Sequence, residues 1–169
     1  RQARMRFGIV FQNYNLFPHF TVMRNVCDAP VVVQHRDKAE VEAEARVLLD
    51  RIGLSDHADK VPCQLSGGQQ QRVAICRALA MKPDVIYFDE ATSALDPKLT
   101  DDMHRIIREL ASDGMAVGIV THEMGFARDA SDRICFLFDG QIVEDGPANQ
   151  VINDPVDPRT RAFLSSPED

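Results

Sequence analysis

The sequence predicts an α/β fold in which a parallel sheet carries an inserted helical subdomain. Short apolar runs at residues 7–11, 85–88 and 115–120 have the length of strands, and their lack of polar alternation predicts strands covered on both faces. Apolar residues with helical spacing, between positions 99 and 110, separate the last two runs. Because strand–helix–strand connections form right-handed crossovers, we expect these strands to pair in parallel.

The region from about residue 20 to residue 82 carries helical patterns and no strand pattern, so we assign it to the helical subdomain. Residues 1–19 and 83–169 then form the sheet core. Near the end of that core, Asp139-Gly140 separates two apolar runs and predicts a β-hairpin.

Two helices of the subdomain have recognisable ends. Thr21 is expected to cap a short helix that Pro30 stops. Asp37 and Glu40 have the spacing of a capping box at the start of the clearest helix, and Gly53 supplies its left-handed end.

The composition limits the classes of function. Acidic residues outnumber basic residues 26 to 19, and the net charge of −7 argues against nucleic-acid binding, which requires a basic face. The four cysteines show no CxxC spacing, which favours reduced thiols over disulfides or a zinc site. The sequence has no apolar run of the roughly 18 residues that span a membrane, so contact with a membrane is expected to need a partner.

The stretch Gln64–Arg72, with the sequence QLSGGQQQR, has the features of a phosphate-binding helix start. Ser66 and Gln69 have the spacing of a capping box, and Gly67 and Gly68 leave backbone N–H groups without a neighbouring Cβ. Such a helix N-terminus attracts an anion through its N–H groups and its dipole. Taken alone, the same pattern also fits a capped surface helix after a glycine turn.

Polar side chains follow the predicted strands at the point where each strand ends. Gln12 follows the first strand, Asp89 and Glu90 follow the second, and His122 follows the third. Because ligands bind beyond the carboxyl ends of parallel strands, we expect these side chains to gather at one edge of the sheet. For the Asp-Glu pair a helix cap is the alternative, and for the histidine a packed side chain.

Five motifs, in this order along the chain, resemble the ATP-binding subunits of ATP-binding-cassette (ABC) transporters. Gln12 corresponds to the Q-loop, Leu65–Gln69 (LSGGQ) to the signature, Val85–Glu90 to Walker B, Ser93–Asp96 to the D-loop and His122 to the switch histidine. The resemblance covers nearly the whole chain and implies a P-loop NTPase-like sheet core, an ATPase activity, and ATP with Mg²⁺ as cofactors.

The resemblance also implies roles for individual residues. Asp89 and Gln12 would hold Mg²⁺, Glu90 would act as general base on the attacking water, and His122 would contact the γ-phosphate. Asp96 would bridge two subunits, although it also suits the cap of a helix that begins at Pro97. The residues expected to bind the nucleotide are Leu65, Ser66, Gly67, Gly68, Gln69 and Asp96.

A Walker A loop, with the pattern GxxxxGK[ST], is absent, because none of the nine glycines is followed by lysine. We therefore expect the sequence to be the C-terminal portion of a cassette, truncated at its N-terminus, and the 169-residue chain to be inactive by itself. In the family, each ATP lies between Walker A of one subunit and the signature of another, so the resemblance implies a homodimer of the full-length protein.

Within the family, the sequence resembles the ATPases of bacterial importers of polar amino acids. The segments that carry it are residues 11–19, 64–72, 121–128 and 159–164. In such importers a helix of the membrane permease docks beside the Q-loop, here Gln12–Phe17, which places the protein peripherally on the cytoplasmic face of the inner membrane. Tyr14, Leu16 and Phe17 would line that docking groove, or would pack within the helical subdomain.

Two other functions remain open at the level of sequence. One is an ABC ATPase that works on DNA or ribosomes instead of transport, although such proteins usually carry basic faces or long coiled-coil insertions. The other is a non-catalytic adaptor without Walker A. The transported solute is not encoded here, because a separate binding protein and the permease select it.

Overall fold

The computed structural model of the chain describes residues 3–92 and 96–165, which divide into two compact units. The first unit comprises residues 1–120 and the second residues 121–169. In the first unit the regular elements are β1 (Phe7–Phe11), α1 (Val22–Val32), α2 (Lys38–Arg51), α3 (Gly67–Ala80), β2 (Val85–Asp89), α4 (Pro97–Ser112) and β3 (Ala116–Val120). In the second unit they are α5 (Met124–Ala130), β4 (Arg133–Phe138), β5 (Gln141–Pro147), α6 (Ala148–Asn153) and α7 (Pro158–Leu164).

The first unit contains a three-stranded parallel sheet in the order β1-β2-β3, which confirms the predicted parallel sheet. Phe11 pairs with Asp89, and Asp89 pairs with Val120, so the three strands end at the same level. The polar residues that follow β1 and β2 therefore emerge side by side at one edge of the sheet.

The expectation that both faces of the strands are covered is wrong for all three strands, and no residue of β3 is buried. Burial alternates along β1, where Val10 is fully buried while Ile9 remains 46% exposed. In β2, Phe88 is buried and Tyr87 is 42% exposed. One face packs against α3, as the close approach of Gly8 to Ala78 shows, and the apolar side chains of the other face remain accessible. A run of apolar residues alone does not report how many faces are covered.

The helix that begins after Thr21 does not stop at Pro30 but continues to Val32. Thr21 caps it as predicted, since its hydroxyl oxygen accepts a hydrogen bond from the Arg24 amide at 3.2 Å. Pro30 lacks one backbone donor, but only two residues of the helix follow it, and the amide of Val33 still bonds to the Ala29 carbonyl at 2.8 Å. Burial of the proline ring helps the last turn to persist.

Between Gln12 and Asp84 the described residues form helices and no strand. Asp37 caps α2 through the Glu40 amide at 2.9 Å, and Gly53 has a φ of 70°, as predicted for its left-handed end. A single apolar core joins α1, α2 and α3. Its buried members are Val22, Val26, Cys27, Val41, Ala45, Leu49, Leu54, Ala58, Leu65, Val73, Cys76 and Ala80. The assignment of residues 20–82 to a separate subdomain stays a prediction.

The second unit is built on the antiparallel hairpin β4–β5. Asp139 and Gly140 form its turn with φ angles of 49° and 73°, the two left-handed residues of the predicted hairpin turn. Helix α5 was not predicted from the sequence, and no side chain caps its start. In the described part of the chain, no helix combines the length and the apolar composition that a membrane span requires.

Candidate functional site

A polar cavity of about 200 Å³ lies at the carboxyl ends of β1 and β2. It is lined by the last residue of each strand and by the loop residues that follow, namely Phe11, Gln12, Asn13, Asn15, Asp89 and Glu90. The structure therefore brings together three of the residues selected from the sequence, Gln12, Asp89 and Glu90. The parallel register produces this arrangement, because Phe11 and Asp89 are paired neighbours at the last step of the ladder.

Backbone contacts on both sides hold Glu90 in place. Its amide donates to the Val120 carbonyl at 3.0 Å, and its φ of 47° lies in the left-handed region, which side chains other than glycine rarely adopt. The next residue, Ala91, accepts a hydrogen bond at its carbonyl from the buried side-chain amide of Gln71 on α3. A non-glycine residue in this conformation persists only where its surroundings compensate for the strain, and such residues are concentrated at functional sites.

The signature stretch begins α3 as the sequence predicts. The Ser66 hydroxyl accepts from the Gln69 amide at 3.3 Å, and the Gln69 side-chain oxygen accepts from the Ser66 amide at 2.9 Å, which completes the capping box. Ser66 and Gly67 are exposed, whereas the side chain of Leu65 is buried in the core shared with α1 and α2. The accessible part of the predicted phosphate site is thus the helix start at Ser66 and Gly67.

The two signature glycines have different neighbours. A Cβ at Gly67 would lie 3.1 Å from the Tyr14 hydroxyl, and a Cβ at Gly68 would lie 2.6 Å from Cδ2 of Leu99 on α4. Gly68 is buried, so its lack of a side chain allows α3 and α4 to approach each other. Gly67 instead faces the aromatic residue of the loop that follows β1.

Helix α3 also carries contacts to this region that the sequence analysis did not identify. Gln71 reaches Ala91, and Arg77 donates to the carbonyl oxygens of Tyr14 and Asn15. His57, to which the sequence assigned no role, has Nε2 3.1 Å from Nε2 of the Gln69 amide. These contacts join residues that are far apart in sequence, and most of them end on a backbone carbonyl. Neither property produces a local sequence pattern from which the contact could be predicted.

Asp96 caps α4, because its carboxylate accepts a hydrogen bond from the Leu99 amide at 3.1 Å. Its side chain is exposed, so the cap leaves it accessible to a partner. The other members of the predicted D-loop, Ser93–Leu95, lie outside the described residues.

His122 belongs to the second unit, where its side chain is exposed. The residue before it, Thr121, accepts a hydrogen bond at its hydroxyl from the Glu123 amide at 3.0 Å, which shapes the turn that leads into α5. The imidazole makes no buried contact within this unit, and the choice between a catalytic and a structural histidine stays with the activity test. Contact of His122 with the γ-phosphate stays a prediction.

The apolar residues of the loop after β1 separate into two groups. Leu16 packs against the core of the three helices, as the packing alternative expected. Phe17 is 51% exposed, and its ring lies 5.1 Å from that of Phe20, centroid to centroid. Tyr14 is half-buried, with its hydroxyl beside Gly67. Only Phe17 among the three presents a largely open apolar surface.

The chemistry of the cavity fits Mg²⁺ held together with a triphosphate. Asp89 offers carboxylate oxygens and Gln12 an amide oxygen, which are the ligands that Mg²⁺ prefers. Within residues 3–92 and 96–165, no group of three His, Cys, Asp or Glu side chains is placed to hold a metal ion by itself. Two protein ligands suit Mg²⁺, which keeps several waters and takes further oxygens from phosphates.

Comparison with known proteins gives a consistent result. Residues 1–93 match the family described as ABC transporter. The chain is 51% identical over 165 residues to the arginine transport ATP-binding protein ArgV of Corynebacterium glutamicum, which covers 98% of this chain and 65% of that protein. It is 54% identical over 164 residues to the L-cystine transport system ATP-binding protein TcyN of Escherichia coli, covering 97% of this chain and 66% of that protein.

A third relative is the glutamate/aspartate import ATP-binding protein GltL of Escherichia coli, 51% identical over 164 residues, with 97% of this chain and 68% of that protein covered. The chain thus spans about two thirds of the length of these relatives, slightly less for the first two. The matched family, the identity over nearly the whole chain and the ordered motifs lead to one conclusion: the chain belongs to the ABC transporter family.

Proposed function

We propose that this sequence belongs to an ATP-hydrolysing, nucleotide-binding subunit that powers the import of a polar amino acid through a membrane permease. The observation that carries the proposal is the cavity that Gln12, Asp89 and Glu90 share at the ends of two paired parallel strands. The relatives support the solute class, because their names specify arginine, cystine and glutamate or aspartate transport.

Within the cavity, Gln12, Asp89 and Glu90 have different roles. Asp89 and Gln12 hold Mg²⁺, which neutralises charge on the phosphates when it is bound. Glu90 accepts a proton from the attacking water, and the bond from its amide to the Val120 carbonyl holds its backbone next to Asp89. His122 contacts the γ-phosphate and holds the water in line.

The signature residues serve a second copy of the protein. Ser66, Gly67, Gly68 and Gln69 form the capped start of α3, and its N–H groups and dipole attract a phosphate. In a homodimer these groups face the ATP held by the other subunit. Asp96, exposed at the start of α4, bridges the two subunits.

The permease docks at the segment Gln12–Phe17, where Phe17 offers an open apolar side chain next to the cavity-lining residues. This contact holds the protein on the cytoplasmic face of the cell membrane as a peripheral subunit. In this arrangement the permease, through which the solute passes, contacts the loop that also carries the proposed Mg²⁺ ligand Gln12.

The test is the Glu90→Gln variant of the full-length protein that contains this sequence, assayed for ATP hydrolysis with the permease in proteoliposomes. The carboxamide keeps the shape but takes no proton, so we expect turnover to fall roughly 100- to 10,000-fold while ATP binding persists. Glu109→Gln, on the exposed side of α4, is the matched control and should hydrolyse ATP as the wild type does.

Retention of more than about a third of the wild-type rate by Glu90→Gln, against that expected loss, would remove the general-base role. Failure of the protein to co-purify with any permease, while ATP hydrolysis persists, would contradict the transport part and favour a non-transport ABC ATPase. A full-length protein that binds no ATP would favour the adaptor alternative.

A further inference from the structure

Arg77 on α3 contacts the loop that follows β1, here called the Gln12 loop (Gln12–Asn15). Its Nη1 donates to the Asn15 carbonyl at 2.6 Å, and its Nη2 donates to the Tyr14 carbonyl at 2.9 Å. One planar guanidinium therefore holds two successive carbonyl groups, a contact that the single charge of a lysine cannot reproduce. Burial lowers the pKa of Arg77, but an arginine remains charged at neutral pH.

The Gln12 loop has a backbone that needs such support. Tyr14 and Asn15 have φ angles of 53° and 48°, so two successive residues with side chains occupy the left-handed region. Within the loop, the Tyr14 amide bonds back to the Phe11 carbonyl at 3.2 Å, and the Asn15 amide bonds to the Asn13 carbonyl. The carbonyls of these same two left-handed residues are the ones that Arg77 binds.

The loop is also one wall of the candidate active site. Gln12, Asn13 and Asn15 line the cavity together with Asp89 and Glu90. On one side the loop is fixed by the pairing of Phe11 with Asp89, and on the other by Arg77. At the start of the same helix, the hydroxyl of Tyr14 lies beside Gly67. Helix α3 thus touches the loop both at its first residue and near its end.

We propose that Arg77 is a positioning residue that fixes the Gln12 loop and so places the Gln12 amide beside Asp89. The inference rests on the proposed ATPase function, because it assigns Arg77 a purpose within that same site. Arg77 acts through the loop and touches no reacting atom. Its loss is expected to misplace a Mg²⁺ ligand and leave the carboxylates of Asp89 and Glu90 where they are.

The kinetic test uses the full-length protein with its permease and compares Arg77→Met, Arg77→Lys and the double variant Arg77→Met/Gln12→Ala. Misplacement of the loop should lower turnover roughly 10- to 100-fold in Arg77→Met and raise the Mg²⁺ concentration needed for half-maximal rate. Arg77→Lys should recover part of the loss. When Gln12 is already alanine, Arg77→Met should change turnover less than about twofold, because Arg77 is proposed to act only by positioning the Gln12 side chain.

The matched control is Arg72→Met on the same helix, which removes contacts to Ile52 and Asp102 instead. In the double variant Arg72→Met/Gln12→Ala, the effects of the two replacements on the activation free energy of turnover should add. If the effects of Arg77→Met and Gln12→Ala also add, Arg77 only stabilises the fold and the proposal is overturned. A wild-type protein without ATPase activity would contradict the proposed function itself, which separates the two failures.

A second measurement reports on the loop without catalysis. These 169 residues contain two tyrosines, Tyr14 in the loop and Tyr87 on β2, and fluorotyrosine labelling of the full-length protein gives each a ¹⁹F NMR signal, assigned with Tyr14→Phe and Tyr87→Phe. Arg77→Met should shift and narrow the Tyr14 signal and leave the Tyr87 signal in place, while Arg72→Met should move neither. An unchanged Tyr14 signal in a folded Arg77→Met protein would overturn the proposal.

Discussion

The amide nitrogen of Glu90 donates to the carbonyl oxygen of Val120 at 3.0 Å, one residue beyond the last pair of β2 and β3. The sheet ladder therefore continues into the residue that we propose as general base. Glu90 lies in a turn and has a left-handed backbone, but its position is fixed by this hydrogen bond to the neighbouring strand. The backbone of the proposed base is thus fixed before substrate binds, so that only its side-chain torsions remain to be ordered.

Replacement of His122 by alanine should lower ATP turnover of the full-length protein by roughly 10-fold or more, because it removes the group that we propose to orient the γ-phosphate. Its exposed side chain contributes little to packing, so the melting temperature should stay within about 2 °C of wild type. His35→Asn is the control, since His35 has a φ of 56° that asparagine tolerates. A large drop in melting temperature with unchanged activity per folded molecule would favour a structural histidine.

Asn25 should be important for stability, because it is 1% exposed and its amide bonds to the backbone of the turn before α1. It accepts from the Phe17 amide at 2.8 Å and donates to the carbonyls of Phe17, Phe20 and Thr21 at 3.1 Å each. Asn25→Ala removes the side-chain partner of the Phe17 amide and of the Phe20 carbonyl, and should cost about 1–3 kcal/mol in urea unfolding.

The exposed Asn149 provides the comparison, and Asn149→Ala should change the free energy of unfolding by less than about 0.5 kcal/mol. Asn25→Asp keeps the acceptor but loses the donors, so it should resemble Asn25→Ala. If Asn25→Ala unfolds at the wild-type urea concentration, the amide does not hold the turn.

The four cysteines should differ in reactivity toward iodoacetamide at pH 8. Burial raises the pKa of Cys76 to about 12 and that of Cys27 to about 11, so both remain protonated. A hydrogen bond to Asp145 raises the pKa of the exposed Cys135. Because the thiolate is the reactive form, Cys63 should be labelled first, Cys135 later and the buried pair only on unfolding.

Mass spectrometry of a labelling time course would measure that order. Labelling of Cys76 in the folded protein as fast as Cys63 would show that the core around α3 opens readily. Addition of urea serves as the control, since all four thiols should then react at similar rates.

Glu144 should make the second unit sensitive to acid. Its carboxylate accepts from the Val156 amide at 2.8 Å and the Asp157 amide at 3.1 Å, and chiefly the bond from Val156 lowers its pKa below the ordinary 4.5. A lowered pKa in the folded state means a contribution to stability that is present above pH 4.5 and lost as pH falls through the folded value.

Glu144→Ala should therefore reduce the melting temperature at pH 7, and the difference from wild type should shrink as pH falls below 4.5. Asp132→Ala, at an exposed position of the same unit, is the comparison. A difference that is constant from pH 7 to pH 3 would mean that Glu144 contributes through packing alone.

Much of the fold could be predicted from the sequence, because strand runs, caps and turns are local. Asp37 with its Glu40 amide, the Ser66–Gln69 box and the Asp139-Gly140 turn all lie where their short patterns indicate. Gln12, Asp89 and Glu90 were predictable as neighbours because parallel pairing aligns the ends of strands. Sites built from strand ends are therefore readable from sequence.

The rest depends on contacts that leave no local trace. Pro30 lies inside α1 because burial outweighs one missing hydrogen bond, which a helix-breaker rule does not weigh. Gln71 and Arg77 were not found because each binds a backbone carbonyl in a distant loop. A carbonyl is present at every residue, so nothing in the sequence marks which one is bound.

The bonds from Arg77 to the Gln12 loop end on the backbone of Tyr14 and Asn15, not on their side chains. Evolution is therefore free to change the side chains at these two positions without loosening the loop, provided that each new residue tolerates a left-handed backbone, as asparagine and glycine do. If the permease docks here as proposed, single substitutions at these two positions could adapt the surface to a different permease while Arg77 still holds the loop.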